Sequence, residues 1–398
     1  MTCRSCGSES LHSIIPLGDL PLANGLLNQK KDHELYHNLE VMLCSDCGLA
    51  QLKDLIDPKD LFSEYVYFSS NSEGMLNSVA TLVECIQPTL SDNALVVEIA
   101  SNDGYLLKNY KDIEVLGIDP AANIAKVANE AGIPTLCEFF SEELAANLVA
   151  QGKQADIIHA NNVMAHVPDI NGFIKGIQLL LKKTGQAMIE VPHFLDLFKK
   201  LEFDTIYHEH VYYFGLKPLI TLFKRHGLEI FNLEKMSIHG GTLRLFVGHQ
   251  GQHDVSSMIE TILHEEEMAS LYDLVSYQEF MTKIEGLKQE LVSFLHSLKS
   301  QGKRIAAYGA SAKGTTLLNY FGVGNDLLDF VVDRSPAKQG KLTPGKQLEI
   351  RSPGALEYAD YAVLLAWNFA DEIVRQQADF ISKGGKFIVP LPKVKVVP

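Results

Sequence analysis

The stretch Leu95–Asp119, LVVEIASNDGYLLKNYKDIEVLGID, constrains the fold most. Leu95-Val96-Val97 is a short apolar run rich in β-branched residues, the pattern of a buried parallel strand. Glu98 ends the run, and Ala100-Ser101-Asn102-Asp103-Gly104 is a tight turn of small and polar residues. Tyr105-Leu106-Leu107 then starts a helix pattern, with Asn102 or Asp103 as its cap. A second apolar run, Val115 to Ile118, stops at Asp119. Strand, turn, helix, strand and terminal acid follow one another as in a nucleotide-binding βαβ unit.

The turn's chemistry selects among nucleotides. A pyrophosphate binder needs three glycines so that backbone can close on two phosphates. Here Ala100 and Asn102 hold the first two glycine places and only Gly104 remains. Glu98 and Asp103 repel phosphate and suit a cation, and Asp119 stands where a carboxylate takes both ribose hydroxyls. The cofactor that fits is S-adenosylmethionine, a sulfonium without phosphate. The pattern resembles the first two motifs of class I methyltransferases.

The four paired cysteines come next. Cys3-Arg4-Ser5-Cys6 and Cys44-Ser45-Asp46-Cys47 each place two thiolates on a turn and are each followed by glycine, Gly7 and Gly48. Two such turns complete a tetrahedral structural zinc site, and no ligand position looks open for catalysis. A compact module with a poor core would depend on that zinc for folding. Cys85 and Cys137 are isolated and read as buried small hydrophobes.

With 398 residues, 46% of them apolar, the chain is long enough for two or three domains. No apolar run approaches a membrane span, and the N-terminus carries no signal-like pattern. The expectation is a cytoplasmic chain, a monomer or small homo-oligomer. A net charge of −14 argues against non-specific nucleic-acid binding.

Further along, Asp57-Pro58 marks a turn, and Tyr65 and Tyr67 beside a Ser/Asn-rich turn are candidates to close over the cofactor or substrate. Asp156 to Ala160 reads as a strand, with Asn161 and Asn162 at the carboxyl end where such sheets bind ligands. His166 lies on the following loop. The densest cluster is Tyr207-His208-Glu209-His210. Strict alternation would put Tyr207 and Glu209 on one face and the histidines on the other, whereas a turn would let them converge. No third metal ligand accompanies His208 and His210 at a familiar spacing. The favoured chemistry is proton transfer by a histidine, oriented by a carboxylate and helped by a phenol. Glu265-Glu266-Glu267 reads as a solvated face.

A fresh α/β pattern begins near residue 301. Gly309-Ala310-Ser311-Ala312-Lys313-Gly314 is a turn small enough for its amides to reach phosphate, with Lys313 as a cation. Phe330-Val331-Val332 ends in Asp333. These features suit a diphosphate, as in a nucleotide sugar, or equally a vestigial packing domain.

In this order the motifs resemble the zinc-containing sugar C-methyltransferases of nucleotide-linked deoxysugars. The likeness rests on Cys3/Cys6/Cys44/Cys47, Tyr65-Val66-Tyr67-Phe68-Ser69-Ser70, Val97 to Gly104, Ala165-His166-Val167, Tyr207 to His210, and Tyr308 to Gly314. It implies an α/β chain with three parts. Residues 1–70 would form the four-cysteine zinc module. Residues 71–250 would form a class I, Rossmann-like methyltransferase domain. Residues 251–398 would form a Rossmann-like domain that helps bind the nucleotide sugar. It implies His210 as the base at C3 of a 4-keto-6-deoxysugar, with Tyr207, Glu209 and His166 lining the pocket and Tyr65 and Tyr67 closing it. Tyr207 or a protonated His166 would meet the ketone oxygen. Glu98, Ala100, Asn102, Asp103, Gly104, Asp119, Asn161 and Asn162 would bind the cofactor, and Gly309, Ser311, Lys313 and Asp333 the nucleotide sugar. An O- or N-methyltransferase of another metabolite and a non-enzymatic nucleotide-sugar-binding protein remain the alternatives.

Overall fold

The computed structural model describes residues 1–31, 33–58, 61, 68–71, 73–236 and 240–398. Tyr65 and Tyr67 lie outside the described residues. The first two strands, β1 (Leu11–Pro21) and β2 (Tyr36–Cys44), form an antiparallel hairpin in which Leu11 faces Cys44. That register carries the second cysteine pair back to the first, which explains the long spacer between them. β3 (Ala50–Leu52) continues the sheet beside β2.

The hairpin does not have a core of its own. Ile14, Ile15, Leu39 and Val41 pack in one cluster with Ala306, Leu317 and Val331 of the last part of the chain. Cys3, Cys44, Cys47 and Leu49 pack in another with Val97, Phe173 and Leu216 of the middle part. The zinc-binding part is thus a wedge buried against both neighbours.

The middle part begins with helix α1 (Glu73–Ile86) and strands β4 (Leu95–Ile99) and β5 (Glu114–Ile118). α2 (Ala122–Glu130), β6 (Thr135–Leu136), α3 (Glu142–Ala150) and β7 (Ala155–Asn161) follow. Then come α4 (Ile170–Leu180), β8 (Leu181–Pro192) and α5 (Phe194–Lys200). β9 (Tyr212–Tyr213), α6 (Leu216–Arg225), β10 (Leu228–Met236) and β11 (Thr242–His249) complete the part. Seven strands form one sheet in the order β10-β11-β8-β7-β4-β5-β6, parallel except for β11, which runs antiparallel to both β10 and β8. β9 leaves this sheet and pairs with β3, closing the N-terminal sheet.

The helix expected at Tyr105 does not form. Its place holds only a 3-10 turn at Leu107–Asn109. Tyr105, Leu106, Leu107 and Tyr110 are all buried under α1, so this segment lacks the polar stripe that a surface helix needs. The helix expected to be capped by Asn102 or Asp103 is therefore absent there. Cys85 and Cys137 are exposed, not buried, since Leu82, Val83 and Ile86 take the core-facing positions of α1.

Helices α7 (Met258–Met268) and α8 (Leu274–Ser300) lead to the last part. α8 buries Tyr277, Phe280, Ile284, Leu287, Leu291, Leu295 and Leu298, a stripe at helical spacing. The final sheet contains β12 (Ile305–Tyr308), β13 (Phe330–Val332), β14 (Ile350–Arg351), β15 (Tyr361–Leu364), β16 (Lys386–Val389) and β17 (Lys395–Val397). Its order is β14-β13-β12-β15-β16-β17, and α9 (Ala312–Phe321) follows β12. Among the described residues no helix is long and apolar enough to cross a membrane.

Candidate active site

Every second residue of the turn after β4 is left-handed: Ala100 at φ 56°, Asn102 at φ 48° and Gly104 at φ 76°. The glycine backbone is thus kept although two glycines are gone, at a cost of roughly 1–2 kcal/mol for each non-glycine residue. The turn is held from outside. Asn102 N–H donates to Asp119 Oδ2 at 3.0 Å, and Asn102 Oδ1 accepts from Ser69 N–H at 2.9 Å. Ser69 follows directly on the segment that contains Tyr65 and Tyr67. A Cβ on Gly104 would lie 2.9 Å from Ile133 Cγ1, so the third place has no room for a side chain.

Buried polar atoms normally have partners. Among the described residues, Glu98 Oε1 and Oε2, Ser101 Oγ, Asp103 Oδ1 and both amide atoms of Asn161 have none. They gather at the carboxyl ends of β4 and β7. This donor and acceptor set, rich in carboxyls and free of cations, fits S-adenosylmethionine. Asp119 uses one oxygen on Asn102 N–H and the other on Ala121 N–H at 2.9 Å, and each oxygen keeps a second lone pair for a ribose hydroxyl. Asn162 is also left-handed, at φ 54°, with its amide tied to Glu190 O at 2.9 Å. Burial pushes the Glu98 carboxyl well above its usual range, and Asp119, Asp103 and Glu190 push it further.

Tyr207 to His210 is a turn, closed by His210 N–H donating to Tyr207 O at 2.9 Å. His210 Nδ1–H donates to the Thr205 carbonyl at 2.9 Å. That bond fixes the tautomer of the neutral ring, so His210 Nε2 accepts from Tyr207 Oη–H at 2.9 Å. The His166 ring stands edge-on, 4.9 Å from that of His210. Burial pushes His166 down to about 4, against the raising effect of the hydrogen bond its ring N–H donates to the Glu209 carbonyl. A value of about 4 favours the uncharged ring at neutral pH and so favours Tyr207, of the two expected donors, at the ketone oxygen. Glu209 is buried and accepts from Asn24 Nδ2–H at 2.7 Å; burial raises it to about 7 although Asn24 pulls it down. His208 turns away and donates to the His37 carbonyl at 3.1 Å. A cavity of about 20 Å³, room for roughly one water, is lined by His210, Thr205, Glu202, His193 and Gly241.

The four cysteine sulfurs lie within 4.8 Å of one another, with Cys3–Cys47 and Cys6–Cys44 at 3.6 Å. A tetrahedral zinc with bonds of about 2.3 Å calls for sulfurs about 3.8 Å apart, so the set fits. Gly7 N–H donates to Cys3 O and Gly48 N–H to Cys44 O, each at 2.8 Å, closing two matching knuckles at positive φ. Asn171 Nδ2–H donates to Arg4 O at 2.7 Å, and the Arg225 guanidinium donates to Ser5 O, so α4 and α6 grip the first knuckle.

In the last part, Ser311 Oγ accepts from Gly314 N–H at 3.1 Å and caps α9. Asp333 uses its oxygens on Ala310 N–H and Ser335 N–H, each at 2.8 Å. Gly309 takes φ 96° against Ala366. Lys313 faces inward: its ammonium is 4.0 Å from Glu202 Oε2 and 5.1 Å above the Trp367 ring, without a hydrogen bond. Trp367 Nε1–H donates to Asp204 Oδ2 at 2.7 Å. Burial raises Glu202 to about 7 and Asp204 to about 6, while Lys313 pulls both down.

Three family models divide the chain. A zinc binding domain matches residues 3–62, a methyltransferase domain residues 73–233, and a C-methyltransferase C-terminal domain residues 237–392. C-methyltransferase NovU of Streptomyces niveus is 35% identical over 404 residues, covering 99% of this chain and 96% of that protein. The chain belongs to the C-methyltransferase family. Two solved structures are similar to part of this C-methyltransferase. The magnesium protoporphyrin IX methyltransferase of Synechocystis PCC 6803 is 13% identical, covers 44% of this chain and 84% of that one, and has a TM-score of 0.36. A SAM-dependent methyltransferase of Anabaena variabilis is 17% identical, with coverage of 44% and 84% and a TM-score of 0.35. The C-methyltransferase thus combines a class I S-adenosylmethionine-binding fold with a four-cysteine zinc domain.

Sequence reasoning missed part of this site. Asn24, His37 and Thr205 grip the Tyr207–His210 turn, yet no motif marks them. Glu266, expected on a solvated face, is fully buried and accepts from His193 Nε2 at 2.9 Å, Leu216 N–H at 2.6 Å and Tyr272 Oη–H at 2.5 Å. Glu265 and Glu267 do face outward. The polarity of Pro192-His193, set directly after a buried strand, was the available signal for His193.

Proposed function

We propose that the chain methylates C3 of a nucleotide-linked 4-keto-6-deoxysugar, a dTDP- or GDP-sugar, in deoxysugar, antibiotic or surface-polysaccharide formation. S-adenosylmethionine, when bound, supplies an electrophilic methyl group. The side chains supply the carbon nucleophile. A proton beside a ketone comes off near neutral pH only when a base is placed at it and donors meet the enolate oxygen. His210 is that base. The observation that carries this is the Thr205 carbonyl on Nδ1–H, which leaves Nε2 as the basic atom and aims it at the Tyr207 phenol. Tyr207 turns its O–H from His210 to the ketone oxygen when substrate enters, and His166 lies beside it with its N–H donated to the Glu209 carbonyl. Glu209 orients the turn. Residues 251–398 hold the nucleotide through the turn of Gly309, Ser311 and Lys313, which Asp333 shapes; Lys313 would leave Glu202 to meet the diphosphate.

The test is mass spectrometry of the chain with S-adenosylmethionine and a panel of dTDP-, GDP- and CDP-4-keto sugars. The expected product gains one methyl group that resists mild hydrolysis. Deuterium exchange at C3 in heavy water without cofactor supports the carbon nucleophile. A hydrolysable methyl group without exchange would favour an O- or N-methyltransferase instead.

A further inference from the structure

Helix α9 carries two adjacent threonines, Thr315 and Thr316, which are 6% and 2% exposed. A buried hydroxyl costs free energy unless it is hydrogen-bonded, and within a helix its usual partner is the carbonyl four residues back. Both hydroxyls reach off their own helix instead. Thr315 Oγ1 lies 2.9 Å from the Ala23 carbonyl and 3.4 Å from that of Ser311, so the distant partner holds it more closely. Thr316 Oγ1–H donates to the Ile206 carbonyl at 3.1 Å.

Both acceptors adjoin the candidate active site. Ile206 stands between Thr205, whose carbonyl takes His210 Nδ1–H, and Tyr207, whose phenol meets His210 Nε2, each at 2.9 Å. The peptide group that Thr316 holds thus lies between the two partners of the imidazole. Ala23 precedes Asn24, whose amide donates to Glu209 Oε1 at 2.7 Å. The segment leans on the last part of the chain further upstream as well. Phe203 stacks on Phe321 of α9 with ring centroids 5.0 Å apart, and Asp204 accepts from Trp367 Nε1–H at 2.7 Å. Phe203–Thr205 is a single 3-10 turn. Such a turn has poorer hydrogen-bond geometry than an α-helix and takes its place from what packs on it.

We propose that Thr316, backed by Thr315, is a positioning residue for His210: α9 of the last part fixes the main chain from which both partners of the imidazole extend. A carbon-bound proton is taken only by a base within hydrogen-bond reach, and a misplacement of about 1 Å can cost about 10²-fold. The middle part supplies the imidazole and the groups bonded to it, and the last part sets where they stand. In this role the threonines act through the main chain and not on the reacting atoms.

The role rests on His210 being the base. Thr316→Val keeps the shape of the side chain and removes the hydroxyl, whereas Thr316→Ser keeps the hydroxyl. Each full-length variant is assayed below its melting transition, with S-adenosylmethionine and the keto sugar of the panel above that the unaltered chain methylates. Thr316→Val is expected to lower kcat about 10–100-fold while KM stays within about twofold. Thr316→Ser is expected to recover most of that loss, and Thr315→Val to lose less, since it acts through Asn24 and Glu209. Nitrogen-15 spectra of the histidine-labelled chain read the ring without substrate, the His210 signals being assigned by their loss in His210→Asn. The Nδ1–H form should dominate in the unaltered chain and in Thr316→Ser, and give way to the Nε2–H form in Thr316→Val. Thr316→Ala, small enough to admit a water at the Ile206 carbonyl, replaces the valine variant if that one does not fold. Unchanged kcat or an unchanged ring in Thr316→Val would overturn the positioning role, as would equal losses in Thr316→Val and Thr316→Ser or a loss confined to KM. Full turnover in His210→Asn would overturn the base itself and the positioning role with it. If no sugar of the panel is methylated, the ring signals alone decide the positioning.

Discussion

The Nδ1–H of His210 is occupied by a main-chain carbonyl, so the working atom of the ring is Nε2. His210→Asn can keep a donor toward Thr205 but has no basic nitrogen. It is expected to lower turnover by about 10²–10⁴-fold while leaving the S-adenosylmethionine Kd unchanged; methyl-transfer assays and calorimetry check the two halves. Glu209 gives a pH prediction. Its folded value, about 7, lies above the usual carboxyl value of about 4.3. Its contribution to stability therefore falls as pH rises from about 4.3 through about 7. The Asn24 amide offsets part of that loss, because it binds the ionised form best. Asn24→Ala is expected to cost about 1 kcal/mol at pH 5 and about 2 kcal/mol at pH 8, read from melts at the two pH values; equal costs would refute the assignment. At this scale the acids and histidines were legible because their residue types stand out in sequence. Their partners were not, since Asn24 and His37 are brought to Glu209 and His208 from more than 150 residues away.

At the scale of elements, the cofactor turn works through backbone shape. Ala100 and Asn102 were readable as standing at glycine places, and both adopt the glycine-like φ. The missing helix was not readable, because Tyr105-Leu106-Leu107 matches a helical pattern until α1 covers all three. Gly104→Ala combines φ 76° with a 2.9 Å approach to Ile133. It is expected to destabilise by about 2–4 kcal/mol and to weaken S-adenosylmethionine binding. Denaturant titration and calorimetry test this, and unchanged values in both would contradict the reading of the turn.

For the whole molecule, the order of the zinc knuckles and two α/β units could be read from spacing and strand patterns. The shared cores could not, since nothing local tells Ile15 that it packs near Val331 or Cys44 that it packs near Phe173. The knuckles are gripped by α4 and α6, so metal loss should loosen the middle part as well. Chelation under mild denaturing stress is expected to lower Tm first, with methyl transfer falling only in step with the folded fraction. Activity lost at an unchanged Tm would give zinc a direct chemical part.

The pairing of β3 with β9 also limits how relatives can be recombined. Leu52 N–H donates to Val211 O and Val211 N–H to Ala165 O, so the stretch after His210 is stitched between the first and middle parts. A chimera that exchanges only the cysteine-bearing end would place a foreign edge against that stretch and shift the imidazole with it. Transplants should succeed when residues 205–214 travel with the donor's hairpin, and lose methyl transfer when they stay behind.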